Sequence, residues 1–330
     1  MEKRLDVSGI GNPLVDIFVY VDEEFLTSNK LNKGIMHLID EERRSLLLDH
    51  IRGMEVQVEA GGSCPNTMTA LGMLGINAAL SGKIGSDEYG LAFEKLIQDK
   101  NVASYLRQDN RPNACPTGTC IVLITPDKER TMNTFLGSCR EFRKEDLPRD
   151  MIEASCFFYF TGYMWDTENQ KAAISEAVCI AKKSGVKIIF DAADPMAVNR
   201  YRVDFLDLIN NDVDIVLANA QESEILTGMP IERSVEDLGK RVHIAVVKNG
   251  AEDTHIYSKG SHLRVPSFMT EVKDTTGAGD NFSAGFIYGL IKGYPLEVCG
   301  RIASFVASKT IEKIGAQVPA DIRERVESMF

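Results

Sequence analysis

Residues 274–286 read Asp274-Thr275-Thr276-Gly277-Ala278-Gly279-Asp280-Asn281-Phe282-Ser283-Ala284-Gly285-Phe286, a loop with two closely spaced glycines that runs straight into an apolar helical stretch at 284–291. Glycines let the backbone turn tightly and aim successive N–H groups at one point. Those donors sit at the positive end of the helix dipole, which is a ready anion site. Asp280 falls in the first helical turn, at the edge of that site. A carboxylate beside a gathering point for negative charge is repelled unless it has chemistry to do. The chemistry that fits is accepting a hydroxyl proton while the amides of Gly277, Ala278 and Gly279 hold a transferring phosphoryl group. A glycine-rich helix start carrying an incidental aspartate is the plain structural alternative.

Working outward, the residues before this loop alternate apolar strands with helices. Strands are expected at 156–161, 186–191, 214–218 and 243–248, and helices at 168–184, 202–209 and 221–227. Strands this apolar belong to a parallel sheet buried on both faces. Beyond the loop, the tail reads as successive helices interrupted at Pro295, Gly315-Ala316 and Pro319. Toward the N-terminus the pattern changes. Extended runs at 5–11, 16–21 and 34–40, a strand at 77–84, a helix at 88–100, and two β-rich runs at 118–125 and 130–136 are expected, the last two around a Pro126-Asp127 turn. The pieces near 13–40 and 107–137 do not keep the strand–helix rhythm. They are expected to pair as a small sheet that covers the carboxyl ends of the main strands as a lid. No repeat or low-complexity linker divides the chain, so 1–330 reads as one α/β domain.

Composition narrows the partners. The formal net charge of −11 speaks against nucleic acid and anionic membrane, both of which need a basic footprint. An anionic substrate then requires a locally positive site. Met1-Glu2-Lys3-Arg4 opens onto a strand without the apolar core of a signal peptide, and no apolar run reaches membrane-spanning length. Seven scattered cysteines without a CxxC pair and five dispersed histidines suggest neither a disulfide framework nor a zinc site. A cytoplasmic setting and small-molecule partners are expected, with a homodimer left open.

Two familiar nucleotide motifs fail. Gly82-Lys83 is followed by Ile84 and preceded at the first P-loop position by Asn77, so no P-loop is present. Gly9-Ile10-Gly11 lacks the third glycine of a dinucleotide fingerprint and runs into Pro13. The 274–286 string instead resembles the C-terminal signature of the ribokinase-like (PfkB) carbohydrate and nucleoside kinases. Gly61-Gly62-Ser63-Cys64-Pro65-Asn66 is similar to the other signature of that family. Gly82-Lys83-Ile84-Gly85-Ser86-Asp87, Asn219-Ala220-Gln221-Glu222 and Lys248-Asn249-Gly250 follow in the family's order, and Gly315-Ala316 ends the last core helix. Asp253 departs from a usual glycine and Met68 from a usually smaller residue. Asp191-Ala192-Ala193-Asp194-Pro195 matches the family only loosely and receives no role.

The resemblance implies a three-layer ribokinase-like domain, with a mostly parallel central sheet flanked by helices and a small β-sheet lid. It implies an ATP-dependent phosphotransferase in which Asp280 is the general base and 277–279 the anion hole. Lys248, Gly250 and Gly315 would approach ATP, and Asn219 and Glu222 would hold Mg²⁺ through water. Asn12 and Asp16 would bind vicinal hydroxyls of the acceptor, completed by Gly61, Gly62, Ser63 and Asn66. A monovalent cation such as K⁺ near Asp274, Thr276 and Gly315 is a further feature of some relatives.

For the acceptor, the runs at 11–17, 116–120 and 129–137 are most similar to the adenosine kinase-like branch. A nucleoside needs a flat apolar slot beside the diol grip, and Leu14, Met36, Cys120, Met132, Leu136 and Met164 are candidates to line it. The same residues would also serve as plain lid core. A simple sugar kinase, for ribose or fructose, and a non-catalytic nucleotide- or sugar-binding protein are the alternatives.

Overall fold

Strands without polar alternation need cover on both sides, and the computed structural model, which describes residues 4–330, supplies it. A nine-stranded sheet runs in the order Ser261–Val265, Thr254–Ser258, Ile244–Lys248, Ile215–Asn219, Lys187–Asp191, Ser155–Thr161, Leu5–Ile10, Ala78–Ser81, Val102–Ser104. Thr254–Ser258 runs against both its neighbours, and the other pairings are parallel. Successive side chains alternate between two apolar clusters: Tyr159, Ile189 and Leu217 face one, Phe160, Phe190 and Val216 the other. Helices Ser63–Met73, Ala278–Ile291 and Leu296–Ile311 cover the first face. Glu168–Lys183, Pro195–Asn211 and Ile231–Gly239 cover the second. The expected three layers are present.

The order of strands positions the site. The chain enters at Leu5–Ile10, lays Ala78–Ser81 and Val102–Ser104 to one side, then returns to place Ser155–Thr161 on the other. Loops after Leu5–Ile10 and Ser155–Thr161 therefore diverge and open a crevice at the carboxyl ends of the strands. Asn12 stands in the first loop and Tyr163 in the second, with Asn12 Nδ2 donating to the Tyr163 carbonyl at 3.5 Å.

A second, five-stranded sheet has the order Met36–Leu38, Arg130–Phe135, Gly118–Ile124, Leu14–Tyr20, Val56–Gly61. Val15, Ile17, Val19, Ile121 and Leu123 on one face join the main apolar cluster. Leu14, Asp16, Phe18, Cys120, Val122, Met132 and Thr134 on the other face the crevice. The 13–40 and 107–137 segments do pair with each other, with two corrections. Val56–Gly61 belongs to this sheet, pairing antiparallel with Leu14–Tyr20. Arg107–Asp109 does not; it pairs with Lys83–Gly85 in a separate ribbon. The reason lies at Gly82, where a Cβ would come within 2.5 Å of the Gly11 carbonyl and 2.7 Å of the Pro13 ring. The chain bends beneath that turn, so the strand expected at 77–84 splits into Ala78–Ser81 and Lys83–Gly85.

Other boundaries also moved. The 34–40 run keeps strand pairing only at Met36–Leu38, because helices Glu23–Ser28 and Glu41–His50, capped by Asp22 and Asp40, flank it. The helix expected at 202–209 extends over Pro195–Asn211, started by the Asp194 cap and Pro195. Met1–Lys3, part of the N-terminal reading, lie outside the described residues. Among the described residues no helix is long and apolar enough to cross a membrane.

Candidate active site

The glycine loop is held from below. Gly277 takes φ +72°, and a Cβ there would lie 2.6 Å from the Ala316 Cβ. Asn281 Nδ2 donates to the carbonyls of Gly277 at 2.9 Å and Ala316 at 2.6 Å, locking the loop to the segment after helix Leu296–Ile311, which ends four residues before Gly315-Ala316. The helix Ala278–Ile291 starts here, and Asp280 sits in its first turn. The Asp280 carboxylate accepts from Ser63 Oγ at 2.6 Å and Asn66 Nδ2 at 2.9 Å, both on the helix Ser63–Met73. The two glycine-rich stretches noted in the sequence thus meet at one carboxylate. Burial raises the Asp280 pKa, and the Asp191 charge adds to the rise. The Ser63 and Asn66 donors and the Lys248 charge pull against it without cancelling it. Gly62 is required at its place: its φ is +97° and a Cβ would fall 2.2 Å from the Asn12 carbonyl.

Across the crevice, Lys248 Nζ lies 3.1 and 3.0 Å from the two oxygens of Asp191. Ser283 Oγ donates to Asp191 Oδ2 at 2.6 Å. Burial disfavours the Lys248 charge, but Asp191 and Glu222 outweigh that and raise its pKa. Lys248 is therefore a fixed cation at the end of its strand, next to the glycine loop. Asp191 had no role in the sequence reading, although a carboxylate closing an apolar strand at the ligand-binding edge of a parallel sheet was a usable signal.

Asn219 and Glu222 form a reciprocal cap at the start of Ala220–Thr227. The Asn219 N–H donates to Glu222 Oε2 at 2.8 Å and its side-chain amide to Oε1 at 2.6 Å, while the Glu222 N–H donates to Asn219 Oδ1 at 2.8 Å. Burial pushes Glu222 up to about 7, with Lys248 partly offsetting it. On the second sheet, Asp16 is also pushed up to about 7, by burial and then by the neighbouring charges of Glu59 and Asp280. Glu59 stands opposite Asp16 in the strand register.

A fourth group ties the second sheet to the loop. Arg130, on the strand Arg130–Phe135, forms a two-pronged ion pair with Asp274: Nη1 to Oδ2 at 2.5 Å and Nη2 to Oδ1 at 2.5 Å. Nη1 also donates to Thr276 Oγ1. The backbone N–H groups of Thr276 and Gly315 donate to the same carboxylate at 2.7 and 2.8 Å.

These groups share one cavity of about 1100 Å³. Of the residues singled out from sequence, Asn12, Leu14, Asp16, Met36, Gly62, Ser63, Asn66, Cys120, Met132 and Leu136 line its acceptor half. Asn219, Glu222, Lys248, Gly250 and 277–280 line the rest. Four do not reach the wall: Met164, Gly61, Gly315 and Asp274. Met164 is fully buried in the apolar cluster on the far face of the main sheet, because its short 3₁₀ turn points it inward and leaves the neighbouring Tyr163 facing the cavity. Gly61 backs directly onto the Asp16 carboxylate, with a Cβ there only 2.2 Å from it. Gly315 touches the site through Asp274. Asp191, Arg130, Tyr163, Phe18 and Val122 are among the cavity residues that the sequence reading missed.

The arrangement offers an anion the helix N-terminus at 277–279, where the Ala278 N–H already donates to the Thr275 carbonyl at 3.2 Å, sets the fixed positive charge of Lys248 beside it, and can accept a proton from an alcohol at Asp280. Comparison with known proteins agrees with that chemistry. The family model "pfkB family carbohydrate kinase" matches residues 33–323. The structure of adenosine kinase from Sinorhizobium meliloti is 34% identical, with a TM-score of 0.87 over 99% of this chain and 100% of that one. A probable sugar kinase from Rhizobium etli is also 34% identical, with a TM-score of 0.86 over 99% of both chains. An uncharacterized sugar kinase of Archaeoglobus fulgidus is 30% identical over 75% of this chain and 96% of its own length.

Proposed function

The chain belongs to the pfkB family of carbohydrate kinases, ATP-dependent phosphotransferases, and from that premise we propose that its acceptor is a nucleoside, adenosine first, phosphorylated on the 5′-hydroxymethyl group. The observation that supports this reading best is the cavity face of the second sheet. Leu14, Phe18, Met36, Cys120, Val122 and Met132 make it apolar, with Asp16 as the carboxylate among them. Burying a flat base there gains about 25 cal/mol per Å² of apolar surface. A hexose hydroxyl left unpaired there costs about 1–3 kcal/mol. Asp16 and Asn12 then take the ribose diol, a carboxylate and an amide being suited to two adjacent hydroxyls.

In the reaction, the loop amides at 277–279 and the helix N-terminus hold the γ-phosphoryl group of ATP, and Lys248 adds a fixed positive charge beside them. The acceptor hydroxyl lies against Asp280. Ser63 Oγ, 2.6 Å from that carboxylate, already presents an alcohol donor to it. As the new O–P bond forms and the bond to the ADP oxygen breaks, the hydroxyl proton passes to Asp280. The raised pKa of Asp280 makes it a better proton acceptor than an exposed carboxylate, provided it starts ionised.

Mg²⁺ comes with ATP, neutralises charge on its phosphates and keeps several of its own waters. Both Glu222 oxygens accept from Asn219, so Glu222 and Asn219 suit contact with the ion through water. A monovalent cation fits less well: Arg130 already engages Asp274 and Thr276 where it would sit. The second sheet is positioned to act as the lid. ATP and a nucleoside as substrates suit a cytoplasmic setting.

The test is ADP release with nucleosides and simple sugars at equal concentration. Adenosine should exceed ribose and fructose in kcat/KM, and Met132→Asp should harm adenosine more than any simple sugar. If ribose or fructose outran every nucleoside, the nucleoside reading would be wrong and the sugar-kinase reading would replace it.

A further inference from the structure

We infer that Arg130 is the chain's built-in monovalent cation: its guanidinium occupies the place beside Asp274, Thr276 and Gly315 where the anion loop would otherwise take a small ion, so that turnover needs none. The inference rests on the kinase reading of the loop and goes beyond it.

The Asp274 side chain is fully buried, 0% exposed. A carboxylate buried that completely needs both a counter-charge and a full set of donors. An ionised carboxylate offers about four acceptor positions. Arg130 fills two with its planar fork, and the N–H groups of Thr276 and Gly315 fill two more. The Thr276 hydroxyl accepts from the same guanidinium. No acceptor position on Asp274 is left for a metal ion, and its charge is already matched one to one. A second cation beside the guanidinium would be repelled.

Arginine suits this place better than lysine would. It is always charged, weakly hydrated, and its fixed fork matches a carboxylate edge to edge. It also arrives on a different element from the loop it stabilises. Arg130 begins a strand paired with Gly118–Ile124 and Met36–Leu38, the same strands that carry the acceptor slot. Three residues after Asp274 the chain turns through Gly277 into the helix that starts at Ala278, and Gly277, Ala278 and Gly279 line the cavity. The guanidinium therefore fixes the loop and the second sheet together. Arg130 acts on the reaction through the loop backbone, as a positioning residue.

The experiment compares KCl with tetramethylammonium chloride at equal ionic strength for wild type, Arg130→Ala and Arg130→Lys. Turnover is read with the acceptor that ranks first in the screen, and the thermal midpoint is read without any acceptor. Wild type should change by less than about twofold in rate between the salts, with no shift of its midpoint. Arg130→Ala should lose about tenfold or more in tetramethylammonium and recover in K⁺ or in millimolar guanidinium. Its midpoint should rise in the same salts, and Arg130→Lys should retain an intermediate rate. A wild-type rate or midpoint that depends on K⁺ overturns the inference, and so does a folded Arg130→Ala protein indifferent to K⁺ and guanidinium. Should Arg130→Ala fail to fold, the wild-type and Arg130→Lys arms still decide. The midpoint arm needs no acceptor, so turnover that fails with every acceptor counts against the proposed function and leaves this test standing.

Discussion

Replacing Asp16 with asparagine should make the ligand-free protein more stable while destroying its hold on the acceptor. Asp16 lies on the cavity face of the second sheet, opposite Glu59 and within reach of the Asp280 charge, and its pKa rises from 3.8 to about 7. Each unit is worth 1.36 kcal/mol of preference for the neutral form, so the ionised side chain carries at most about 4 kcal/mol of strain. The cavity is open to water, which screens part of this, and about 1–2 kcal/mol is the expected remainder. For a chain of 330 residues that corresponds to a rise in Tm of roughly 1.5–3 °C.

The pH dependence follows from the sign of the shift. The folded pKa lies above the unfolded one, so the folded state binds the proton more tightly. The destabilisation is complete above about pH 7, shrinks as pH falls, and vanishes near the unfolded value of 3.8. Asparagine does not titrate, so its advantage over wild type should be full at pH 8 and well under half of that at pH 5. Differential scanning calorimetry at the two pH values measures both numbers. The acceptor KM should rise strongly in the variant, with the ATP KM nearly unchanged. An Asp16→Asn protein no more stable than wild type at pH 8, or equally advantaged at both pH values, would refute the claim that this charge is held under strain.

Three further outcomes are expected. Asp280→Asn should lower kcat by about 10²–10⁴ and leave ATP affinity within a few-fold, since a base acts in the transition state; retention of a tenth of the wild-type turnover would exclude Asp280 as the base. Because burial raises the Asp280 pKa and the base must be ionised, the wild-type rate should fall with decreasing pH through a value above the ordinary carboxylate range, and a limb at the ordinary position would contradict the burial argument. Gly277→Ala should weaken ATP binding and destabilise the fold by about 1–3 kcal/mol, because φ is +72° and Ala316 blocks the added methyl; ATP titration and a denaturant melt read the two effects, and normal values for both would show that the loop can rearrange. Acceptor binding should slow hydrogen exchange across 13–40, 56–61 and 118–137, whereas identical profiles with and without acceptor would argue against a closing lid.

The parts of the site legible in the sequence are those whose physics is local. At 274–286 the glycines, the helix start and the carboxylate lie within thirteen consecutive residues, so their joint purpose can be read without knowing the fold. The cap of Asn219 by Glu222 is likewise a three-residue relation. The apolar strands in the second half announced a parallel sheet because both of their faces had to be covered. Val56–Gly61 was legible too, since Val56, Val58 and Ala60 alternate with Gln57 and Glu59 at strand period, although its lower apolar content hid it beside stronger runs.

What stayed hidden depends on partners distant in sequence. Arg130 and Asp274 are separated by 144 positions, and nothing around Lys128-Glu129-Arg130 distinguishes a buried fork from a solvated charge at a turn. Asp191 acquires meaning only when the parallel register places it beside Lys248 and beneath Ser283. Met164 failed in the opposite sense: its residue type suited a base slot, but the turn after its strand directs it into the core. Ser63 and Asn66 were read as part of the acceptor grip, yet both donate to Asp280. That contact has a chemical consequence. A base held by two donors keeps its carboxylate fixed and partly stabilised as an anion while burial pushes toward the neutral form. On the proposed reading of Asp280 as the base, the acceptor hydroxyl delivers its proton there by displacing the Ser63 donor, while Asn66 goes on holding the carboxylate in place.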